Sequence, residues 1–117
     1  MDGKVNVLGV EYSIRYKTEE EDAFPKEADG CCDTSIKRIT IRQHTQEDRN
    51  EPYALKDLDE YQRKVLRHEI THAFLFESGL SVNAYSPASW AGNEEMVDWF
   101  AIQGPKIMKA WQEAGAV

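Results

Sequence analysis

The sequence predicts an α+β domain in which a small antiparallel or mixed sheet packs on two helices. Two segments, residues 10–16 and 35–43, alternate apolar and polar side chains with the period of a half-buried strand. A later segment, residues 58–78, repeats its apolar side chains at helical spacing. The length of 117 residues suits one hydrophobic core. We therefore expect a single domain over residues 1–117, with the strands before the helices.

The first strand is predicted over VEYSIRY, residues 10–16. Residues 5–8 are expected to form an earlier arm of the same strand, because Gly9 marks a bulge or bend where the alternation changes register. The polar segment of residues 18–29 lacks periodicity and predicts a loop. DGCCD, residues 29–33, has the composition of a turn.

The second strand is predicted within SIKRITIRQ, residues 35–43, with Ile39 and Ile41 on one face. The side chains on the opposite face are Arg38, Thr40 and Arg42. Charged side chains of this kind are typical of edge strands, where they discourage aggregation. We therefore expect residues 38–42 to lie at an edge of the sheet.

The first long helix is predicted from Leu58 to about Ser78. Asp57 and Glu60 have the spacing of a capping box, and Gly79 is a natural end. A loop is expected over residues 80–92, which include Pro87, Gly92 and several serines.

Asn93 is expected to cap a second helix over residues 94–103, which Gly104 and Pro105 would end or kink. A short last helix is predicted from Pro105 to about Ala114, with Ile107 and Trp111 buried. Five aromatic side chains at helical spacing are expected in the core. They are Phe74, Phe76, Trp99, Phe100 and Trp111.

Composition narrows the class of protein. Hydrophobic residues make up 41% and charged residues 30%, and no apolar run is long enough to span a bilayer, so no membrane association is expected. The formal net charge of -7 argues against nucleic acid as a ligand. The first twelve residues show no secretory signal, and Cys31 and Cys32 are adjacent, so we expect reduced thiols in a cytoplasmic protein.

The pattern that indicates chemistry is HEITH, residues 68–72. His68 and His72 are four residues apart, so on a helix their imidazoles project from one face and can reach one metal ion. Glu69 lies beside the pair, where its carboxylate could take a proton from a water at the metal. The pattern H-E-x-x-H therefore predicts a zinc site with Glu69 as general base.

A third zinc ligand is expected from NEEMVD, residues 93–98, because catalytic zinc usually has three protein ligands and one open position. Glu94 and Asp98 are four residues apart, so Glu94 could bind the metal while Asp98 accepts a hydrogen bond from a ligating histidine. Glu95 is the rival ligand, but it lacks the four-residue relation to Asp98.

HEITH followed by NEEMVD resembles the gluzincin branch of the zincin metallopeptidases. The run from Glu94 to Ala101 is also similar to the ImmA/IrrE-type peptidases of bacteria and their mobile elements. The resemblance covers about residues 29–101. It implies a zincin-like fold, with an active-site helix and a second helix that carries the glutamate. It also implies a bacterial or prophage peptidase.

Residue by residue, the resemblance implies three zinc ligands, His68, His72 and Glu94, with Glu69 as general base. Asp98 would contact His68 from outside the ligand sphere. The resemblance further implies that a peptide substrate adds to the upper edge strand of the sheet. The candidates for that strand are Arg38, Ile39, Thr40, Ile41 and Arg42.

The chain departs from the thermolysin-like pattern in lacking a histidine after HEITH, so the donor that stabilises the oxyanion is open. Tyr85 lies between the two motifs and is the first candidate. His44, the remaining histidine, is the second.

The predicted function is hydrolysis of peptide bonds in a peptide or protein substrate by a zinc-activated water. An alternative is a zinc-binding regulatory or interaction module with little or no catalysis, which the missing downstream histidine and the acidic surface favour. A third interpretation makes the motif coincidental, in a plain α+β domain that binds no zinc.

Overall fold

A computed structural model describes residues 2–18, 28–81 and 90–117. These residues form an α+β fold with a mixed four-stranded sheet and three α-helices. The strands are β1 (Gly3–Val7), β2 (Val10–Lys17), β3 (Gly30–Asp33) and β4 (Arg38–Arg42). The helices are α1 (Gln46–Asn50), α2 (Leu58–Glu77) and α3 (Glu94–Glu113), and a short 3-10 helix spans Trp90–Gly92. Within the described ranges, no helix has both the length and the apolar character needed to cross a membrane.

The start of the sheet is a hairpin, not the single bent strand that the sequence suggests. Leu8 and Gly9 both have positive φ, 51° and 89°. Two such residues in succession make a two-residue turn whose twist matches antiparallel strands, so the chain reverses between β1 and β2. The Asn6 side chain accepts a hydrogen bond from the Gly9 amide at 2.9 Å and stabilises this turn.

The expectation that residues 38–42 form an edge strand is wrong. The strand order is β1-β2-β4-β3, so β4 pairs in parallel with β2 and antiparallel with β3. The segment expected to be a turn, DGCCD, supplies β3, and β3 is the edge on that side within the described residues. The alternation of β4 does not reveal its neighbours, because central and edge strands that are covered on one face alternate alike.

The core lies between one face of the sheet and α2. Tyr12, Ile39 and Ile41 are fully buried there, and Val65 and Ala73 pack on them from α2. The helix begins where the sequence predicts, because the Asp57 side chain accepts a hydrogen bond from the Glu60 amide at 3.0 Å. The predicted end at about Ser78 is also confirmed, since Ser78 is the C-cap.

A polar contact ties the C-terminal end of α2 to the sheet. The Tyr12 hydroxyl donates to Glu77 Oε2 at 2.6 Å, and Lys37 Nζ donates to the same oxygen at 2.8 Å. Burial and the neighbouring Glu77 carboxylate raise the pKa of Tyr12, so this hydroxyl stays protonated.

We expect Tyr12→Phe to lower the free energy of unfolding by about 1.5 kcal/mol, the typical value of a hydrogen bond to a charged group. Urea denaturation would measure the loss. Tyr16→Phe is a matched control, because the Tyr16 hydroxyl makes no hydrogen bond in the described part of the chain. Equal stability of the two variants would contradict this role of the Tyr12 hydroxyl.

The C-terminal helix is longer than predicted, because Gly104 and Pro105 lie inside α3. A residue before proline normally avoids helical geometry, partly because its Cβ meets the proline ring, and glycine has no Cβ. Pro105 cannot donate to the carbonyl of Ala101, but Arg67 Nε from α2 donates to that oxygen at 2.6 Å. Both obstacles to a continuous helix are thereby reduced.

The prediction that five aromatic side chains are in the core is largely wrong. Four of them are 40% exposed or more, and the fifth, Phe76, is partly buried. The four exposed side chains are Phe74, Trp99, Phe100 and Trp111. On α3 only Val97 and Ala101 are buried, because the helix continues past the core on which its first turns pack.

Two predicted loops lie mainly outside the described residues. These are the loop of residues 18–29, of which 18, 28 and 29 are described, and the loop of residues 80–92, of which 82–89 are not described. Within the described residues Cys31 and Cys32 form no disulfide, and burial raises the pKa of Cys32 to about 12.

Candidate metal centre

Two antiparallel helices bring the motif residues together. His72 of α2 contacts Glu94 at the start of α3, whereas Arg67, earlier on α2, contacts Ala101, later on α3. The start of α3 is fixed by Asn93, whose side chain accepts a hydrogen bond from the Met96 amide at 2.9 Å. Glu94 therefore projects from the first turn of α3 toward the face of α2 that carries the histidines.

The donor atoms of three side chains converge. His68 Nε2 lies 3.2 Å from His72 Nε2 and 3.0 Å from Glu94 Oε2. His72 Nε2 lies 3.0 Å from Glu94 Oε1. Each of the three side chains offers one possible metal-ligand atom, and these atoms all lie within 4.8 Å of one another. The structure thus brings the predicted ligands into one cluster, with Glu94 in preference to Glu95.

This spacing fits a small divalent cation. Zinc ligands about 2.0 to 2.1 Å from a tetrahedral ion are about 3.3 Å from each other. The distances of 3.0 to 3.3 Å among the imidazole and carboxylate atoms are close to that value. Two imidazoles and one carboxylate are also the donor set of a catalytic zinc site with an open position.

Asp98 lies where the sequence predicts, beside His68. Its Oδ1 atom is 3.2 Å from His68 Nδ1 and also 3.2 Å from Lys64 Nζ. Burial raises the pKa of Asp98, but the hydrogen bonds from Lys64 and His68 outweigh it, and the net pKa is lowered. An ionised Asp98 would hold the proton of His68 on Nδ1 and leave Nε2 free to bind a metal.

Glu69 is the one charged residue that is buried among the described residues, with 8% of its surface exposed. Burial raises the pKa of its carboxyl, the two histidines lower it, and Glu94 raises it again, with a net increase. It lines a cavity of about 290 Å³ together with His68 and Glu94. A carboxyl that is costly to ionise, placed beside possible metal ligands, is the arrangement expected of a general base.

Gly30, the first residue of β3, forms the wall opposite Glu69. A Cβ at this position would lie 2.8 Å from Val65 Cγ1 and 3.1 Å from Glu69 Oε2. The first distance is shorter than carbon atoms tolerate, and Val65 is itself buried. Only glycine therefore lets β3 approach α2 this closely without displacing the Val65 side chain, and a Cβ would also crowd Glu69.

We expect Gly30→Ala to lower the free energy of unfolding by about 1–3 kcal/mol, the usual cost of overpacking a core. Gly3→Ala is the matched control, because Gly3 is also in a strand and a Cβ there meets nothing within 4 Å. Urea denaturation of both variants would measure the difference. If both were as stable as the parent, the close approach of Gly30 to α2 would be refuted.

Tyr61 closes another side of the cavity. Its hydroxyl donates to Asp29 Oδ2, and Asp29 Oδ1 lies 3.2 Å from Arg42 Nε. Burial, together with the hydrogen bond to Asp29, raises the pKa of Tyr61 to about 12. Lys64 Nζ lies over the Tyr61 ring, 5.1 Å from its centroid. Tyr61 and Lys64, two side-chain donors of the described cavity lining, are thus each hydrogen-bonded to a carboxylate.

The two residues considered for the oxyanion differ in outcome. Tyr85 lies outside the described residues, so its role stays a prediction. His44 lies beside Tyr61, with ring centroids 6.3 Å apart, and is not among the residues that line the cavity.

No protein-family model, curated protein or solved structure matches this chain.

Six residues that line the cavity were not predicted from the sequence, namely Ala28, Asp29, Gly30, Tyr61, Lys64 and Val65. Tyr61 and Lys64 precede His68 by seven and four residues, spacings that place them on the histidine face of α2, so helical periodicity could have identified them. Gly30 had no such signal, because its role depends on a contact between β3 and α2.

Proposed function

We propose that this protein is a zinc-dependent peptidase. The observation that carries the proposal is the convergence of His68, His72 and Glu94 at ligand spacing, with the buried carboxyl of Glu69 in the cavity that His68 and Glu94 line. The resemblance of HEITH and NEEMVD to gluzincin peptidases supports the same function.

Zinc, when bound, would lower the pKa of a coordinated water from about 15.7 toward about 7 and polarise the substrate carbonyl. The Glu69 carboxylate would accept a proton from the attacking water and return it to the leaving amine. Asp98 would keep His68 in the tautomer with Nε2 free, and Lys64 would keep Asp98 in place.

The substrate would bind along β3, not along residues 38–42. One side of β3 pairs with β4, and its other side has no partner strand within the described residues. An extended peptide could add to that side as a fifth strand. Gly30, at the start of β3, lies against Glu69, so such a peptide would pass beside the general base.

A second candidate function is a zinc-binding interaction module with little catalysis. The observation that favours it is that Tyr61 and Lys64, the side-chain donors in the described part of the cavity apart from His68, are bonded to Asp29 and Asp98. Because the single hydroxyl hydrogen of Tyr61 goes to Asp29 and the Lys64 ammonium is held beside Asp98, a developing oxyanion would depend mainly on the metal. A missing donor can cost about 3 kcal/mol of transition-state stabilisation.

The two candidates are separated by one experiment with two readouts. Elemental analysis of the purified protein would give the metal content per chain, and unfolded casein or a peptide library would report cleavage with and without chelator. The peptidase predicts one zinc per chain and cleavage that chelator removes and zinc restores. Zinc without cleavage would favour the interaction module, and a chain that binds no zinc would refute both.

A further inference from the structure

Arg67 makes an unusual contact between the two helices of the metal centre. Its Nε atom donates a hydrogen bond of 2.6 Å to the backbone carbonyl of Ala101. In a regular helix, the amide four residues later donates to this carbonyl, but here that residue is Pro105, which has no N–H. Ala101 is 1% exposed, so solvent cannot easily replace the missing donor. Arg67 therefore satisfies a buried carbonyl that Pro105 leaves without its helical partner.

The contact fixes a backbone atom. A hydrogen bond to a carbonyl of α3 restrains the position of the helix along α2, whereas a bond between two side chains could follow a change of rotamer. Arg67 directly precedes His68, and Ala101 lies two turns after Glu94 on α3. The restraint is thus close to the residues whose separation matters for metal binding.

Glu94 depends on the position of α3, which Arg67 fixes through a backbone atom and Asp98 through side-chain contacts with Lys64 and His68. The Glu94 side chain is 69% exposed, so packing does not fix its position. The carboxylate reaches His68 and His72 because the first turn of α3 lies beside the turn of α2 that carries them. A shift of about 1.5 Å, one residue of helix rise, would be enough to move it out of ligand distance.

We propose that Arg67 is a positioning residue, which sets the register of α3 against α2 and thereby the reach of Glu94. The effect on Glu94 rests on the proposed metal site, whereas the hydrogen bond from Arg67 to Ala101 does not depend on it. Arg67 would touch neither metal nor substrate.

The sign of the effect separates this role from a simple effect of charge. Replacing Arg67 by a neutral side chain removes a positive charge near a cation site, and on Coulombic grounds alone the cation should bind more tightly. If Arg67 instead positions Glu94, the same replacement should weaken binding.

The test is a double-mutant cycle of Arg67→Met and Pro105→Ala, with Arg63→Met as control. Pro105→Ala restores an amide that can donate to Ala101, so it should make Arg67 dispensable. Arg63 lies one turn earlier on α2 and pairs with Glu60, as Arg67 also does. The control therefore accounts for the lost charge and for the lost pairing with Glu60. Zinc affinity would be measured by competition with a chromophoric chelator, and the stability of the metal-free protein by urea denaturation.

We expect Arg67→Met to lower the folding constant by about tenfold to a hundredfold, because it leaves a buried carbonyl unsatisfied. It should also weaken zinc binding to the folded protein by about tenfold, as for other residues that support metal ligands. In the Pro105→Ala background, both effects of Arg67→Met should fall below about threefold. Arg63→Met should leave zinc affinity unchanged or slightly higher.

Unchanged zinc affinity of Arg67→Met would overturn the positioning role, and so would equal losses with and without Pro105. If the parent protein bound no zinc, the proposed function and the effect on Glu94 would both be refuted. The stability cycle would still report whether Arg67 and Pro105 act on the same carbonyl.

Discussion

Glu69→Gln is expected to bind zinc as the parent does and to hydrolyse peptides about a hundredfold to ten-thousandfold more slowly. Gln has the size of Glu but cannot accept the proton of the attacking water. Glu69 is not one of the three converging side chains, so its replacement removes no ligand. Initial rates on a cleaved peptide, together with the zinc content of the same preparation, would measure both properties.

The same variant is also expected to resist urea at least as well as the parent at neutral pH in the absence of metal. Because burial raises the pKa of Glu69 above its value in the unfolded chain, the ionised carboxyl destabilises the fold as the pH rises through the unfolded-state value. A neutral amide avoids that cost.

Equal turnover of the parent and Glu69→Gln would remove Glu69 from the mechanism, whatever the stability of the variant.

Glu94→Gln is expected to lose most of the zinc affinity, and the neighbouring variant Glu95→Gln to keep it. A protein zinc site has about 10–16 kcal/mol of binding free energy, so each of three or four ligands accounts for roughly 3–4 kcal/mol. Loss of one ligand should therefore weaken binding by about a hundredfold to a thousandfold. Isothermal titration with zinc, or competition with a chelator, would measure the change.

The pair is informative because both glutamates are exposed and adjacent at the start of α3. General effects on net charge or on the first turn of the helix should therefore be alike in the two variants. His44→Ala is a further control, because it removes a histidine that does not line the cavity. Equal zinc affinity of Glu94→Gln and Glu95→Gln would show that the carboxylate of Glu94 is not a ligand.

The predicted effects of these variants depend partly on local sequence patterns and partly on contacts between residues that are far apart in the chain. The cap at Asp57 and the spacing of His68 and His72 depend on the backbone within one or two turns, and the helix that they predict is present. The relation of Glu94 to Asp98 is also local, and it favours Glu94 over Glu95 whatever the packing of the two helices.

The predictions that the structure contradicts share one physical origin. Basic side chains on residues 38–42 suggested an edge, yet β4 is central because β3 forms from a segment that resembles a turn. Trp99 and Trp111 have helical spacing, yet they are exposed because α3 extends beyond the core. In each case, the outcome depends on which distant segment is available as a partner.

The sequence alone determined the positions of α2 and the start of α3, and the faces on which the imidazoles and carboxylates lie. Local hydrogen bonds and side-chain periodicity specify these features over a few residues. The tertiary structure decided three others: the central place of β4, the closeness of Gly30 to Glu69, and the bond from Arg67 to Ala101. Each depends on packing between residues far apart in the chain, which sequence spacing does not encode.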